Sequence, residues 1–351
     1  MKNYKYIGLC LLAIGFASCD VNNELDAISE EMVEEIQLNA NGLDFSKYVS
    51  IGASFTAGFT DGALFKAAQE NSQVAPHEPV VVENKDRPLR LDRPHGNFYD
   101  EWDKFLNNSG VRKPSRFTYR DEYDNFDSAI GAFEWPLEEK YHPDIFVGNM
   151  AKWFIEQREA DSPFFLQIGF PGPHPPYDPP KRFLDMYENA VFDFPTAEAD
   201  ELVCQPPPQQ AYRQMMIDGI HDATRWCAAP SSEQLQRLYK HYAANMTLID
   251  EQVGEIINAL QQKGYLENSV IVFTSDHGDC LGEHGHIQKW TMYDCITRVP
   301  VIVSAPGRLS CGSRCDALIQ QMDIVPMLFE FASIPLDPGS ATSALPPAMG
   351  K

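Results

Sequence analysis

The chain has 351 residues, long enough for one large α/β domain or two ordinary ones. Hydrophobic residues make up 44% and charged residues 22%, globular proportions that exclude a wholly disordered chain. With 28 Lys+Arg against 50 Asp+Glu the formal charge is −22, which repels a phosphate backbone over most of the surface and excludes nucleic acid as an expected partner. The chain opens on Met1-Lys2-Asn3, followed by an apolar run from Ile7 to Phe16. That run is too short to span a bilayer and fits the core of a signal peptide.

The apolar run ends in Phe16-Ala17-Ser18-Cys19 and gives way to polar residues. Small residues before a cysteine resemble a bacterial lipobox. The resemblance implies a signal peptide over 1–18, lipidation of Cys19, and an exported protein, periplasmic or at the cell surface, whose only membrane link is that lipid. Residues 24–41 are acidic and polar, a spacer. Lys47 to Gly62 resembles the first block of the SGNH (GDSL-type) hydrolases, in which a strand ends in a tight turn presenting a nucleophilic serine, here Ser54. Ala53 stands where that block usually carries Asp or Asn. No G-x-N-D follows, and the D-x-x-H letters of Asp218 to His221 are common by chance. A serine needs its base and oxyanion donors to work.

Residues 74–145 are rich in Pro, Asp, Arg and aromatics without clear periodicity. Phe146 to Gln157 is an amphipathic helix and Pro163 to Phe170 a short buried strand, followed by a Pro-rich loop, Gly172 to Pro180. Residues 183–230 are irregular. Ser231 to Lys263 is a long helix, with Ser231 or Ser232 as its cap and Gly264 as terminator. Its stripe is Leu235, Leu238, Tyr242, Met246, Ile249, Val253, Ile256 and Leu260. Ser269 to Thr274 and Val299 to Ser304 are strands, and Met322 to Ala332 is a helix. This alternation predicts an α/β fold with a mainly parallel sheet flanked by helices. Sites in such sheets gather at the C-terminal ends of strands. None of Cys204, Cys227, Cys280, Cys295, Cys311 and Cys315 forms a C-x-x-C pair, which speaks against structural zinc. A Cys311–Cys315 disulfide and free buried thiols are both compatible with the sequence.

The chemistry concentrates in two segments. The strand Val270 to Phe273 runs into Thr274-Ser275-Asp276-His277-Gly278-Asp279, then Gly282-Glu283-His284-Gly285-His286 and Lys289. Upstream, Pro173-His174-Pro175-Pro176-Tyr177 follows the strand PFFLQIGF. A carboxylate and an imidazole at a strand end suit a metal, and Gly278 lets the chain turn away. His284 and His286 read as loop structure or pocket lining.

These segments, with KWTMYDCITRVPVIVSAPG and QMDIVPMLFEFA, resemble the sulfatase family within the alkaline-phosphatase-like superfamily, over roughly residues 90–335. The resemblance implies that Asp276 and His277 are calcium ligands. It also implies that Lys289 and His174 contact the sulfate and the leaving-group oxygen. A divalent cation and a lysine would reverse the local charge, so the acidic chain can take an anionic substrate. The expected partner is a sulfated small molecule or glycan. The family's paired N-terminal aspartates and its C/S-x-P-x-R nucleophile segment, the site of formylglycine, are not recognisable. Arg112-Lys113-Pro114-Ser115-Arg116 carries the last letters but has Arg112 in the nucleophile's place. The expected organisation is a signal peptide over 1–18, a spacer plus SGNH-like block over 19–73, and a sulfatase-like domain over 74–351, incomplete at both ends. The alternatives are an SGNH-type esterase using Ser54 and a non-catalytic surface glycan-binding protein.

Overall fold

The computed structural model describes residues 101–334, except 115 and 159–162, together with three short strands near the N-terminus. The signal segment, Cys19 and Ser54 lie outside the described residues. The strands are β1 (Tyr48–Ile51), β2 (Phe59–Thr60), β3 (Ala63–Leu64), β4 (Phe165–Ile168), β5 (Ile271–Thr274) and β6 (Val301–Ser304). The helices are α1 (Glu101–Asn108), α2 (Arg116–Glu122), α3 (Phe126–Ala129), α4 (Pro143–Gln157), α5 (Lys181–Asp185), α6 (Ala199–Cys204), α7 (Pro207–Asp218), α8 (Ser232–Gln262), α9 (Asp294–Thr297) and α10 (Ile324–Ala332).

Helix α8 begins with a capping box. Ser231 Oγ accepts from the Gln234 amide at 3.2 Å, and Gln234 Oε1 accepts from the Ser231 amide at 2.9 Å. It ends where Gly264 takes a left-handed φ of 70° and the Tyr265 amide donates back to the Leu260 carbonyl. The expected apolar stripe is inward-facing except at Met246, which is exposed; Asn245 and Leu248 are buried instead. Helix α4 starts three residues before its expected first residue, because Pro143 is pre-shaped for a first turn and His142 Nδ1 accepts from the Asp144 amide. The segment read as irregular, residues 183–230, contains the end of α5 and all of α6 and α7. Pro207 and Pro208 open α7 rather than break it, since proline lacks only an amide that a first turn would leave unpaired.

Strands β4 and β5 share one layer between two helical layers. On one side Leu166, Ile168 and Ile271 pack with Val147, Ala151 and Ile155 of α4 and Ile256 and Leu260 of α8. On the other, Val270 and Val272 pack with Ile324, Met327 and Leu328 of α10, with Phe165 against them. Neighbouring residues of β5 thus enter opposite cores, the period-two pattern of a strand covered on both faces. Burying such side chains contributes about 2 kcal/mol each. Helix α4 lies against α8 through Gly148, where an added Cβ would fall 2.4 Å from Gln252 Oε1.

The α/β class holds, with detail the sequence did not carry. Strand β1 pairs parallel with β4, Tyr48 opposite Phe165 and Ile51 opposite Ile168. The place beside β4 is therefore taken by a strand from the SGNH-like block. Strand β6 pairs antiparallel with β5, Thr274 opposite Val301. The connection between them holds only short helical turns, and antiparallel pairing needs no crossover helix. Among the described residues no helix is long and apolar enough to cross a membrane.

Candidate functional site

The end of β5 is pinned before it reaches Asp276. Gln321 Nε2, at the approach to α10, donates to the Ser275 carbonyl at 2.6 Å and the Asp276 carbonyl at 3.1 Å. Asp276 Oδ1 accepts from the His277 amide at 2.9 Å, and Asp276 Oδ2 lies 3.4 Å from His277 Nε2. His277 Nδ1 sits 2.7 Å from the Gly278 carbonyl. A carbonyl only accepts, so Nδ1 carries the hydrogen and Nε2 presents its lone pair beside the carboxylate. Gly278 acts by close approach rather than by turning the chain. Its amide donates to the Ile296 carbonyl at 2.8 Å, and a Cβ there would fall 1.9 Å from the Cys295 carbonyl oxygen.

His174 and Lys289 arrive from separate loops. The His174 loop is held at its start by buried Asp144, whose Oδ1 accepts from the Gly172 amide at 2.9 Å. Burial pushes the Asp144 carboxyl up to about 7, partly opposed by that bond. His174 Nδ1 sits 2.8 Å from the Pro175 carbonyl, leaving Nε2 free to face outward, with Asp222 Oδ2 4.0 Å away. The Lys289 loop is strained: Leu281, His284 and Gln288 all hold positive φ, which side chains with a Cβ rarely adopt. Lys289 is half-buried, and its Nζ makes no hydrogen bond or ion pair to a described residue.

One carboxylate links the loops that carry His174 and Lys289: Asp279 bonds Tyr177 of the first loop and the Gln288 amide beside Lys289. Burial lowers the His277 pKa; Asp276 and the Gly278 carbonyl oppose this, and Lys289 and His174 both push it further down. The balance favours neutral, ligand-ready imidazole. Asp276, Lys289 and His174 thus all act on the His277 ring.

His284 and His286 are structural. His284 Nδ1 bonds Glu201 and its ring stacks on Tyr293, with centroids 3.8 Å apart; buried His286 Nε2 sits 3.0 Å from Gln205 Oε1. Asp218 accepts from Gln214 Nε2, so the chance D-x-x-H letters serve a local contact. All six cysteines of the described residues are free thiols, Cys311 and Cys315 included. Sequence reasoning gave no role to Asp222, Gln321 or Asp279, although the last two lie in segments that carry the resemblance. Asp279 Oδ2 accepts from Tyr177 Oη at 2.8 Å, while its Oδ1 accepts from the Leu281 and Gln288 amides at 3.0 Å each.

The resemblance implies a divalent cation. The 3.4 Å between Asp276 Oδ2 and His277 Nε2 is the separation of adjacent ligands held about 2.4 Å from an octahedral ion, so the pair fits one cation. A mixed oxygen–nitrogen pair does not select calcium over other divalent ions. Among the described residues no group of three or more His, Cys, Asp or Glu is assembled to hold a metal.

The Sulfatase family profile matches residues 67–334. An arylsulfatase of Clostridium perfringens is 32% identical over 204 residues, covering 57% of this chain and 40% of that protein. A choline-sulfatase of Rhizobium meliloti is 30% identical over 221 residues, covering 61% of this chain and 41% of that protein. The chain spans about two fifths of the length of the curated relatives it matches. Among solved structures, the phosphonate monoester hydrolase of Agrobacterium radiobacter superposes with a TM-score of 0.62 at 20% identity, covering 87% of this chain and 60% of that one. At that identity the likeness speaks for the fold alone.

Proposed function

The chain belongs to the sulfatase family, and on that premise we propose that its site takes sulfate esters, of a sulfated glycan or of an aryl or alkyl alcohol, and hydrolyses them. The observation that carries this reading is geometric: Asp279 ties the His174 loop, through Tyr177, and the Lys289 loop, through the Gln288 amide, to the end of the segment that bears the Asp276–His277 pair. Lys289 Nζ, unpaired among the described residues, supplies positive charge for the sulfate oxygens. With its Nδ1 on the Pro175 carbonyl, His174 has Nε2 available to hold a proton at the bridging ester oxygen. Asp276 and His277 would hold a divalent cation, calcium by family resemblance, which polarises sulfate oxygens when bound. The Gly172 bond to Asp144 holds the start of the His174 loop, and the Gln321 bond to Ser275 holds the end of β5.

The absent C/S-x-P-x-R segment supports a second reading, in which the same site binds sulfated glycans without turnover. Hydrolysis of 4-nitrophenyl sulfate by the full chain with calcium, beside Asp276→Ala and Lys289→Ala, separates the two. Turnover that both variants reduce at least about a hundredfold supports hydrolysis. Wild-type turnover no greater than the variants' ends it, and calorimetric binding without turnover supports the second reading. An SGNH-type esterase would instead cleave a carboxylic ester in a manner lost in Ser54→Ala and indifferent to chelators. We also propose that residues 1–18 are removed and Cys19 is lipidated, tethering the chain outside the cytoplasm. Mass spectrometry of the mature N-terminus should find a lipid-modified Cys19; an unmodified N-terminal Met1 contradicts this.

A further inference from the structure

We infer that Asp279 is the positioning residue that sets the His174-to-Lys289 geometry, and that it reaches His174 through Tyr177. The inference rests on the sulfate-ester reading of the site for its catalytic meaning, but its structural part stands alone.

Asp279 touches all three segments that build the site. It lies three residues beyond Asp276 in the segment that follows β5. One carboxylate oxygen, Oδ1, accepts from the Leu281 and Gln288 amides, and Gln288 immediately precedes Lys289. The other, Oδ2, accepts from Tyr177 Oη, and Tyr177 closes the His174 loop. Tyr177 is itself immobilised. Its side chain is fully buried, its amide donates to the Gly131 carbonyl at 2.8 Å, and its carbonyl accepts from the Phe133 amide at 3.1 Å. A rigid post thus carries a hydroxyl to a carboxylate, and the carboxylate holds the strained turn that presents Lys289. Gln288 keeps its positive φ of 63° while its amide is committed to Asp279, so this bond helps hold a conformation the residue would otherwise leave. Two groups that must meet one sulfate ester need fixed spacing, and displacement of about 1 Å is enough to lose much of the rate.

Two measurements test this. The first is amide exchange at Leu281 and Gln288 in the full chain. Asp279→Ala should speed both at least about tenfold, whereas Asp279→Asn, whose side-chain oxygen still accepts, should leave them near wild type. Unchanged exchange in Asp279→Ala overturns the structural part. The second is a double-mutant cycle of Tyr177→Phe and His174→Ala with 4-nitrophenyl sulfate. Alone, Tyr177→Phe should lower kcat about tenfold with KM within about threefold; in the His174→Ala background its effect should fall below about twofold. Additive losses overturn the positioning role. If wild type binds the ester without turnover, the same cycle is read in Kd with the same expectation. Neither turnover nor binding overturns the sulfate-ester reading and the catalytic role with it, while the exchange result still decides the structural part.

Discussion

Replacing Gly278 by alanine should cost about 2–4 kcal/mol of stability. The new Cβ would stand 1.9 Å from the Cys295 carbonyl oxygen and 3.0 Å from its carbon. Both are backbone atoms, which cannot rotate away as a side-chain tip can. The two strands of loop must part by about 1 Å or more, and packed interiors resist such insertion at about 1–3 kcal/mol. The separation also stretches the 2.8 Å bond from the Gly278 amide to the Ile296 carbonyl, a further loss of about 1 kcal/mol. Urea unfolding followed by circular dichroism gives the midpoint shift, with Gly254→Ala as the control. Gly254 lies within α8 with nothing within 4 Å of its would-be Cβ, so alanine there should stabilise by about 0.5–1 kcal/mol. Opposite signs at the two glycines are the expected result. Equal, small effects at both would refute the close-approach account of the 278–296 contact.

Other outcomes follow from burial. Burial lowers His241 to about 4, with its bond to the Arg237 carbonyl opposing. The unfolded chain, with an ordinary imidazole, then binds the extra proton first, so this group's contribution is intact above about pH 6.5 and declines toward pH 4, by up to about 3 kcal/mol. Asp144, raised to about 7, acts with the opposite sign over much of that window. The measurement is therefore the stability difference between wild type and His241→Gln against pH: it should favour the variant increasingly below pH 6.5, and a flat difference contradicts the assignment. Leu248→Ala, a fully buried position, should cost about 2–5 kcal/mol by the same urea assay. Iodoacetamide should label exposed Cys204 and Cys311 before Cys280, whose thiol is buried and pushed up in pKa; mass spectrometry gives the order.

What the sequence disclosed depended on range. The stripe of α8, its Ser231 cap and the strand ending at Thr274 are written in neighbouring residues, and the structure returns them nearly as read. Met246 shows the limit: it fits the spacing, yet the stripe drifts enough over a helix this long that Asn245 and Leu248 turn inward instead. Helices α5 and α6 are too short to show a period, and the prolines that open α7 look like breakers until their place in its first turn is seen. Pairing of β6 with β5, and of β1 with β4, is a choice among distant partners that strand composition does not encode. The site divides the same way. Asp276, His277, Lys289 and His174 lie in recognisable segments. The contacts that support them are not written there: Tyr177 and Asp279 are 102 residues apart, and Gln321 reaches back 46 residues to Ser275. Such contacts exist only once the chain has packed.

The measurement that bears most directly on the central claim is a crystal structure of the chain with 4-nitrophenyl sulfate and calcium. The account predicts sulfate oxygens within hydrogen-bond distance of Lys289 Nζ and His174 Nε2, with the cation on Asp276 and His277. An ester bound away from these residues, or Lys289 and His174 too far apart to reach one sulfate group, would contradict it.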